Sequence, residues 1–498
     1  MLLEALTQVW HNFGSAELWL FMSAGIVIGL IFGVIPGVAG MLACALLLPF
    51  VFTMTAQQAL VIMTAILAVQ YNGGSITTIL LNIPGTTGNA ATLIDGFPMT
   101  IKGEGGRAVG AALTSSAAGS LLSGMMCLVM IPLVLPIIMA LRMSDMVFIV
   151  LLGLTFIAAL GTGSMIKGLI SGGVGLLISL IGCQPSTGVA RFTFGSMYLY
   201  DGVPMVPLAL GLFAVPEMIA LAARGGSLAK TRAVIKGMQN VWQGARDVLR
   251  HWRLVVRSSI IGFIVGIVPG VGPSVAAFIS YGQAKQTSKH PEQFGKGCVE
   301  GVIAPESANN SEEAGALLTT VALGIPGNAS WAVVLGAFIM LGIVPGPEMM
   351  TKHLDLSITL ALIVPVAGVL ATAVTLPLAT QFSKIAFVPG RMLVPLVLVI
   401  TLVGAFAFEE RIIDVDVVLL VAVVGLVMRI FDFNRPAAFL GYILGSTFER
   451  YLFMAYKLGG PLFFLKPISL AIIFIIVFAF AYGPIKELLQ RRRGVKRV

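Results

Sequence analysis

The residues of this chain that could do chemistry fall into two clusters, each built around a Pro-Gly step. One holds Asn72, Gly73, Gly74, Ser75, Thr77 and Thr78, then Pro84-Gly85, then Thr86, Thr87, Gly88 and Asn89. The other holds Glu306, Ser307, Asn309, Asn310 and Ser311, then Pro326-Gly327, then Asn328 and Ser330. Hydroxyl and amide side chains beside open backbone can hold a carboxylate and can also coordinate a small cation. An ionisable residue in an apolar segment is costly, and its default reading is functional. Asp95 follows the first cluster, and Glu300, Glu306, Glu312 and Glu313 lie in or just before the second. Glu306 is the leading candidate to bind and release a coupling cation, sodium or a proton, with Asp95 beside it as a second. The plainer readings are a helix cap for Glu306 and close helix-helix packing for the Gly, Ser, Thr and Asn residues.

The Pro-Gly steps explain why polar residues gather there. Proline inside a helix removes a donor and clashes with the preceding turn, while glycine allows conformations that other residues resist. Together they stop a helix. In lipid the freed backbone groups must find partners in protein or face a water-filled cavity. The broken ends also aim N–H groups and helix dipoles at the gap, where they attract anions. Two more such steps, Pro36-Gly37 and Pro269-Gly270, have fewer polar neighbours and could serve as scaffold.

Lipid is the solvent that the composition calls for. Of 498 residues, 57% are hydrophobic and only 11% charged, against about 25% charged in soluble domains. Nearly uncharged stretches at 120–141, 146–160, 203–223, 357–380, 415–428 and 461–482 approach the roughly 20 residues that span a bilayer core. The expected fold is all-α and polytopic, with about eleven or twelve transmembrane segments, several of them broken or re-entrant. The first residues lack a basic segment before their apolar run, so targeting is expected to rest on the first spans. The four cysteines are scattered and read as packing residues.

The breaks recur in order. Residues 29–40 (GLIFGVIPGVAG) match 262–273 (GFIVGIVPGVGP) at an offset of 233, and 77–90 (TTILLNIPGTTGNA) match 319–332 (TTVALGIPGNASWA) at 242. One such pair could be coincidence in a Gly-rich chain; two in the same order indicate duplication. Residues 1–223 then form a first half, 224–257 a basic loop, 258–482 a second half and 483–498 a basic tail. Residues 224–257 carry eight basic residues against Asp247 alone, which places that loop and the tail in the cytoplasm by the positive-inside rule. Residues 1–24 have no Lys or Arg, so the two halves would enter the membrane from opposite sides, as inverted repeats do.

At this point the motifs resemble a known family. GVIPGVAG at 33–40, YNGGSITTILLNIPG at 71–85, DGFPM at 95–99, EGVIAPESANN at 300–310 and LGIPG at 323–327 are similar to the large membrane subunit of tripartite tricarboxylate transporters. The resemblance runs over about 18–485. It implies a multi-pass permease of the bacterial inner membrane working with a small membrane subunit of about four helices and a periplasmic solute-binding protein. It further implies uptake of a di- or tricarboxylate driven by a sodium or proton gradient, with no other cofactor. Matched residue by residue, it marks Asn72, Gly73, Gly74, Ser75, Pro84, Gly85, Glu306, Asn309, Asn310, Pro326 and Gly327 as site-forming. Ser311-Glu312-Glu313 and Asn328 depart from the common pattern beside that site, so the substrate need not be citrate.

An exporter or channel acting without a receptor remains the alternative. An enzyme is not expected: His11, His251, His290 and His353 lie in polar flanks, and no Gly-x4-Gly-Lys-Ser/Thr loop is present for nucleotide hydrolysis.

Overall fold

The structure, a computed structural model, describes residues 2–35, 39–160, 164–184, 187–223, 238–385 and 390–478. Pro36-Gly37, residues 224–237 of the basic loop and the tail at 483–498 lie outside the described residues. The described chain is helical, apart from a two-residue antiparallel pairing of Gly182–Cys183 with Ala190–Arg191. Among the described residues six helices are long and apolar enough to cross a membrane: Ala16–Val34, Ala56–Leu81, Gly105–Ala140, Met205–Ala223, Leu354–Thr375 and Met392–Glu409. A bent pair, Arg435–Leu465 with Pro467–Phe478, would make a seventh. Shorter apolar helices, among them Gly40–Thr53 and Ala329–Met340, supply the broken elements that the Pro-Gly steps call for.

The chain forms two compact units that cut across the sequence halves. Met1–Pro136 with Met205–Leu426 makes the larger, and Ile137–Pro204 with Val427–Val498 the smaller. Both repeated motifs lie in the larger unit. Its elements are labelled α1 (Ala16–Val34), α2 (Ala56–Leu81), α3 (Leu93–Ile101), α4 (Gly105–Ala140), α5 (Trp252–Ile267), α6 (Pro273–Thr287), α7 (Glu300–Leu323), α8 (Ala329–Met340) and α9 (Leu354–Thr375).

Small residues let the main helices approach to backbone contact. A Cβ on Gly25 would lie 2.5 Å from the Ile62 carbonyl oxygen and one on Gly29 2.6 Å from that of Ile66, while Gly33 sits directly against the carbonyl of Gln70. The contacts advance in the same direction on both helices, so α1 and α2 are parallel. The second half repeats this: Gly262 sits on the Ala308 carbonyl and Gly266 on that of Glu312, so α5 and α7 are parallel too. A parallel pair needs the chain to return between its members, and the intervening Gly40–Leu47 and α6 segments do so. Close packing through small residues is how helices associate where lipid removes the usual hydrophobic drive. α7 carries this furthest, since every residue from Gly301 to Ala322 is buried.

The smaller unit packs Met143–Leu160, Met165–Ser179 and Arg435–Gly459 together. Gly175 and Gly441 provide its close approaches, and Arg191 grips Glu449 with two bonds of 2.7 and 2.9 Å. Lys167 sits in the first turn of Met165–Ser179, its ammonium donating to the Phe431 carbonyl.

Candidate functional site

Two helices end at equivalent breaks with the same chemistry. α2 ends at Asn82 and α7 at Gly324, both left-handed (φ 59° and 70°). The Gly85 amide donates to the Thr78 hydroxyl at 3.1 Å, and the Gly327 amide to that of Thr320 at 3.4 Å. Each threonine donates in turn to a carbonyl one turn back, Gly74 and Ala316. Thr77 donates to the Val34 carbonyl and Thr319 to that of Ile267, tying each broken helix to its parallel partner. These pairs are related by the offsets 233 and 242 read from the sequence, so the duplication extends to individual hydrogen bonds. The Gly270 amide donates to the Gly327 carbonyl at 2.7 Å, and a Cβ on Gly85 would lie 2.8 Å from the Gly33 carbonyl oxygen. Each break therefore rests on the earlier part of its own half.

The halves meet at α2 and α7. Tyr71 and Glu313 are equivalent by the offset, and the Tyr71 hydroxyl donates to Glu313 at 2.5 Å. Ala68 and Asn310 are also equivalent, and the Asn310 amide donates to the Ala68 carbonyl at 3.3 Å. Contacts between equivalent residues mark the line about which two copies pack.

Glu306 reaches from α7 to the first-half break. Its carboxylate accepts from Asn89 Nδ2 at 2.9 and 3.2 Å, from the Thr92 hydroxyl, from Ser116 of α4 at 3.3 Å and from Asn309 Nδ2 at 3.2 Å. Asn309 also donates to the Gly88 carbonyl. Glu313 accepts from Tyr71, from Gln70 Nε2 at 3.2 Å and from Trp331 Nε1 at 2.7 Å. Gln70 is fixed in that role because its oxygen takes the Gly40 amide. Glu312 accepts from Asn328 Nδ2 at 3.2 and 3.1 Å, while Asn328 Oδ1 caps α8 through the amides of Ser330 and Trp331. All three carboxyls have no exposed surface. Their hydrogen-bond partners are neutral, and none of the ion pairs among the described residues involves them.

The remaining site residues divide by role. Asn72 Nδ2 donates to Thr372 of α9, and Asn72 Oδ1 accepts from Asn310. Ser75 donates to the Asn72 carbonyl, and Ser311 to the carbonyls of Ser307 and Gly119. Thr86 donates to Asn89 Oδ1. Gly73 lies against the Leu30 carbonyl, and Gly74 faces the Asn89 amide. Pro84 and Pro326 shape the breaks without a donor of their own. Ser307 Oγ, Asn309 Oδ1 and Asn310 Oδ1 are buried without a hydrogen-bond partner.

Asp95 stands apart from the Glu306 ring. Its carboxylate accepts the amides of Gly295, Gly297 and Cys298 at 2.8 to 3.1 Å and the Tyr281 hydroxyl at 2.8 Å. Gly295 and Gly297 have φ of 82° and 90°, which lets successive amides converge on one anion. Asp95 thus holds the loop that leads into α7.

Gln70, Thr92, Ser116, Ser120, Trp331 and Thr372 also line this network. Serines in a long apolar helix read as packing residues, and only the position of Ser116 and Ser120 four residues apart, on one face of α4, hints otherwise.

The model of the tripartite tricarboxylate transporter TctA family matches residues 19–440. The chain is 33% identical over 439 residues, covering 87% of it and 86% of the relative, to the "uncharacterized 52.8 kDa protein in TAR-I ttuC' 3'region" of Agrobacterium vitis. It is 32% identical over 191 residues to the "uncharacterized protein in TAR-II ttuC' 3'region" of the same organism, covering 38% of this chain and 79% of that one. No solved structure matches. A family model that matches most of a duplicated helical membrane scaffold makes the chain a member of the tripartite tricarboxylate transporter TctA family.

Proposed function

We propose that this chain is the permease subunit of a receptor-dependent secondary active transporter of the bacterial inner membrane. It imports a di- or tricarboxylate, or a related organic anion, by symport with sodium or protons. A small membrane subunit and a periplasmic solute-binding protein complete the system, and the C-terminal tail faces the cytoplasm. The substrate carboxylate is taken at the breaks around Pro84-Gly85-Thr86 and Pro326-Gly327-Asn328, and Glu306 carries the coupling ion. Inverted halves would let this site open to either side in turn.

One observation supports this reading most. Glu306, Glu312 and Glu313 are buried on one helix, with neutral donors around them and, among the described residues, no basic side chain paired to them. An unpaired buried charge is strongly unfavourable, and an anionic substrate brought nearby adds to the repulsion. A cation that enters with the substrate relieves both. That is ion coupling written as electrostatics.

The test is uptake of a radiolabelled carboxylate by proteoliposomes holding this chain, with the small subunit and binding protein added. Uptake should collapse when imposed sodium and proton gradients are removed. Uptake that continues unchanged would refute the coupling.

A further inference from the structure

The outer face of α5 is charged at one end and apolar at the other. Leu254, Val255, Ser258, Gly262 and Phe263 turn inward and are buried. Arg253, Arg257, Ile260 and Ile264 recur at helical spacing on the opposite side, in one stripe. Arg253, Ile260 and Ile264 are exposed, and Arg257 is half-buried. Arg257 is also the last charge before residues 258–284, which carry none. A charge at the head of so long an uncharged run marks the edge of the hydrocarbon layer.

The residues around that edge have the composition of a membrane interface. Trp252 is exposed, with the Arg253 guanidinium 5.4 Å from its ring centroid. The preceding helix, Met238–Arg250, exposes Trp242, Leu249 and Arg250. Tryptophan gathers at the headgroup level of a bilayer. The acids of this region are already committed: buried Asp247 takes Arg107 at 2.6 Å, and Glu300 takes His251 at 3.4 Å. None of the ion pairs among the described residues involves Arg253 or Arg257. Arg257 Nε is buried with no hydrogen-bond partner. Open guanidinium donors match the oxygens of a phosphate. From Arg257 to Ile264 the stripe runs on for about 10 Å of helix, an apolar track for an acyl chain.

We propose that Arg253, Arg257, Ile260 and Ile264 bind an anionic phospholipid in the leaflet on the side of the basic loop. The phosphate lies on the two guanidinia and an acyl chain lies along the two isoleucines. Such a lipid fixes the start of α5, whose Gly262 and Gly266 seat it on α7, so binding stabilises the fold.

The experiment follows thermal unfolding of the purified full-length chain in detergent micelles titrated with dioleoylphosphatidylglycerol, with dioleoylphosphatidylcholine as the neutral comparison. Phosphatidylglycerol should raise the midpoint saturably, and phosphatidylcholine should not. Arg257→Gln should raise the half-saturating mole fraction about fivefold, and Arg253→Gln, at an exposed position, should shift it the same way. Arg450→Gln removes an equal charge from an exposed position in the smaller unit and should leave that fraction within about twofold. Inorganic phosphate and glycerol phosphate, which lack the chains, should not reproduce the stabilisation. A titration that both α5 variants leave unmoved would overturn the site. Equal stabilisation by inorganic phosphate would overturn it too, as a site for a soluble anion. So would a dimer that falls to single chains in Arg253→Gln, which would give the stripe to a second copy.

Discussion

The two halves of the larger unit repeat the same backbone features and differ in charge, one acidic and one neutral where they meet. Gly33 and Gly266, Thr77 and Thr319, and Thr78 and Thr320 do the same work at the same distance from the same kind of break. The face that meets the other half differs. Where α7 carries Glu306, Glu312 and Glu313, the equivalent positions of α2 carry Thr64, Gln70 and Tyr71. Two of those replacements act as donors to the second half's charge, since Gln70 and Tyr71 both bond Glu313. Duplication supplied the scaffold. Divergence made one copy the acidic partner and the other its solvent.

That comparison can be broken first at the charge. Glu306→Gln should cut uptake to background with the protein still inserted, while Thr64→Ala at the equivalent position leaves most uptake in place. Initial rates in proteoliposomes check both, and equal losses would remove the asymmetry. Next comes the shared packing. Gly33→Ala and Gly266→Ala each drive a Cβ into a helix carbonyl and should destabilise by about 1–3 kcal/mol. Matched shifts in unfolding midpoint are expected, and a large difference between them would show that the copies are not equivalent. Smaller still is the cap. Thr78→Val and Thr320→Val should each cost about 1 kcal/mol, read as faster hydrogen exchange at the Gly85 and Gly327 amides.

The smallest effect lies in a flank that only the second half possesses. His251, before α5, pairs with Glu300 at 3.4 Å. The hydrogen bond from Glu300 raises the imidazole above its ordinary 6.5, assisted by the Asp247 carbonyl and opposed by desolvation. The same bond to His251 lowers Glu300 below its ordinary 4.5. The histidine's contribution is complete below about pH 6.5 and is lost as pH rises through its raised value. That of Glu300 is present above its ordinary value and is lost as pH falls through its lowered one. Stability should therefore decline slightly on the alkaline side, by less than about 1 kcal/mol for a half-buried pair. His251→Gln should flatten that slope in unfolding midpoints taken across the pH range.

Much of this was legible in the sequence because backbone rules are local. Pro84-Gly85 and Pro326-Gly327 must stop a helix wherever they occur, and two repeats at steady offsets exposed the duplication. Glu306 stood out as a charge without an aqueous setting. The partners of that charge were not legible. Asn89, Thr92 and Ser116 reach Glu306 across 190 or more residues of chain, and a sequence does not print such distances. Asp95 looked like a site residue for the same reason that Glu306 did. Its loop amides come from glycines 200 residues on, which no local pattern could pair with it. The parallel run of α1 beside α2 rests on Gly25, Gly29 and Gly33 at a spacing of four, which is visible in retrospect as a small-residue stripe.

The central claim is that a buried, unpaired carboxyl on α7 obliges a cation to travel with the substrate. The most direct measurement compares wild type and Glu306→Gln in proteoliposomes with all three components present. A sodium or proton gradient is imposed, and accumulation of labelled carboxylate is followed above equilibrium. The account predicts concentrative uptake in the wild type and none in the variant. Concentrative uptake by Glu306→Gln at the wild-type level would contradict it.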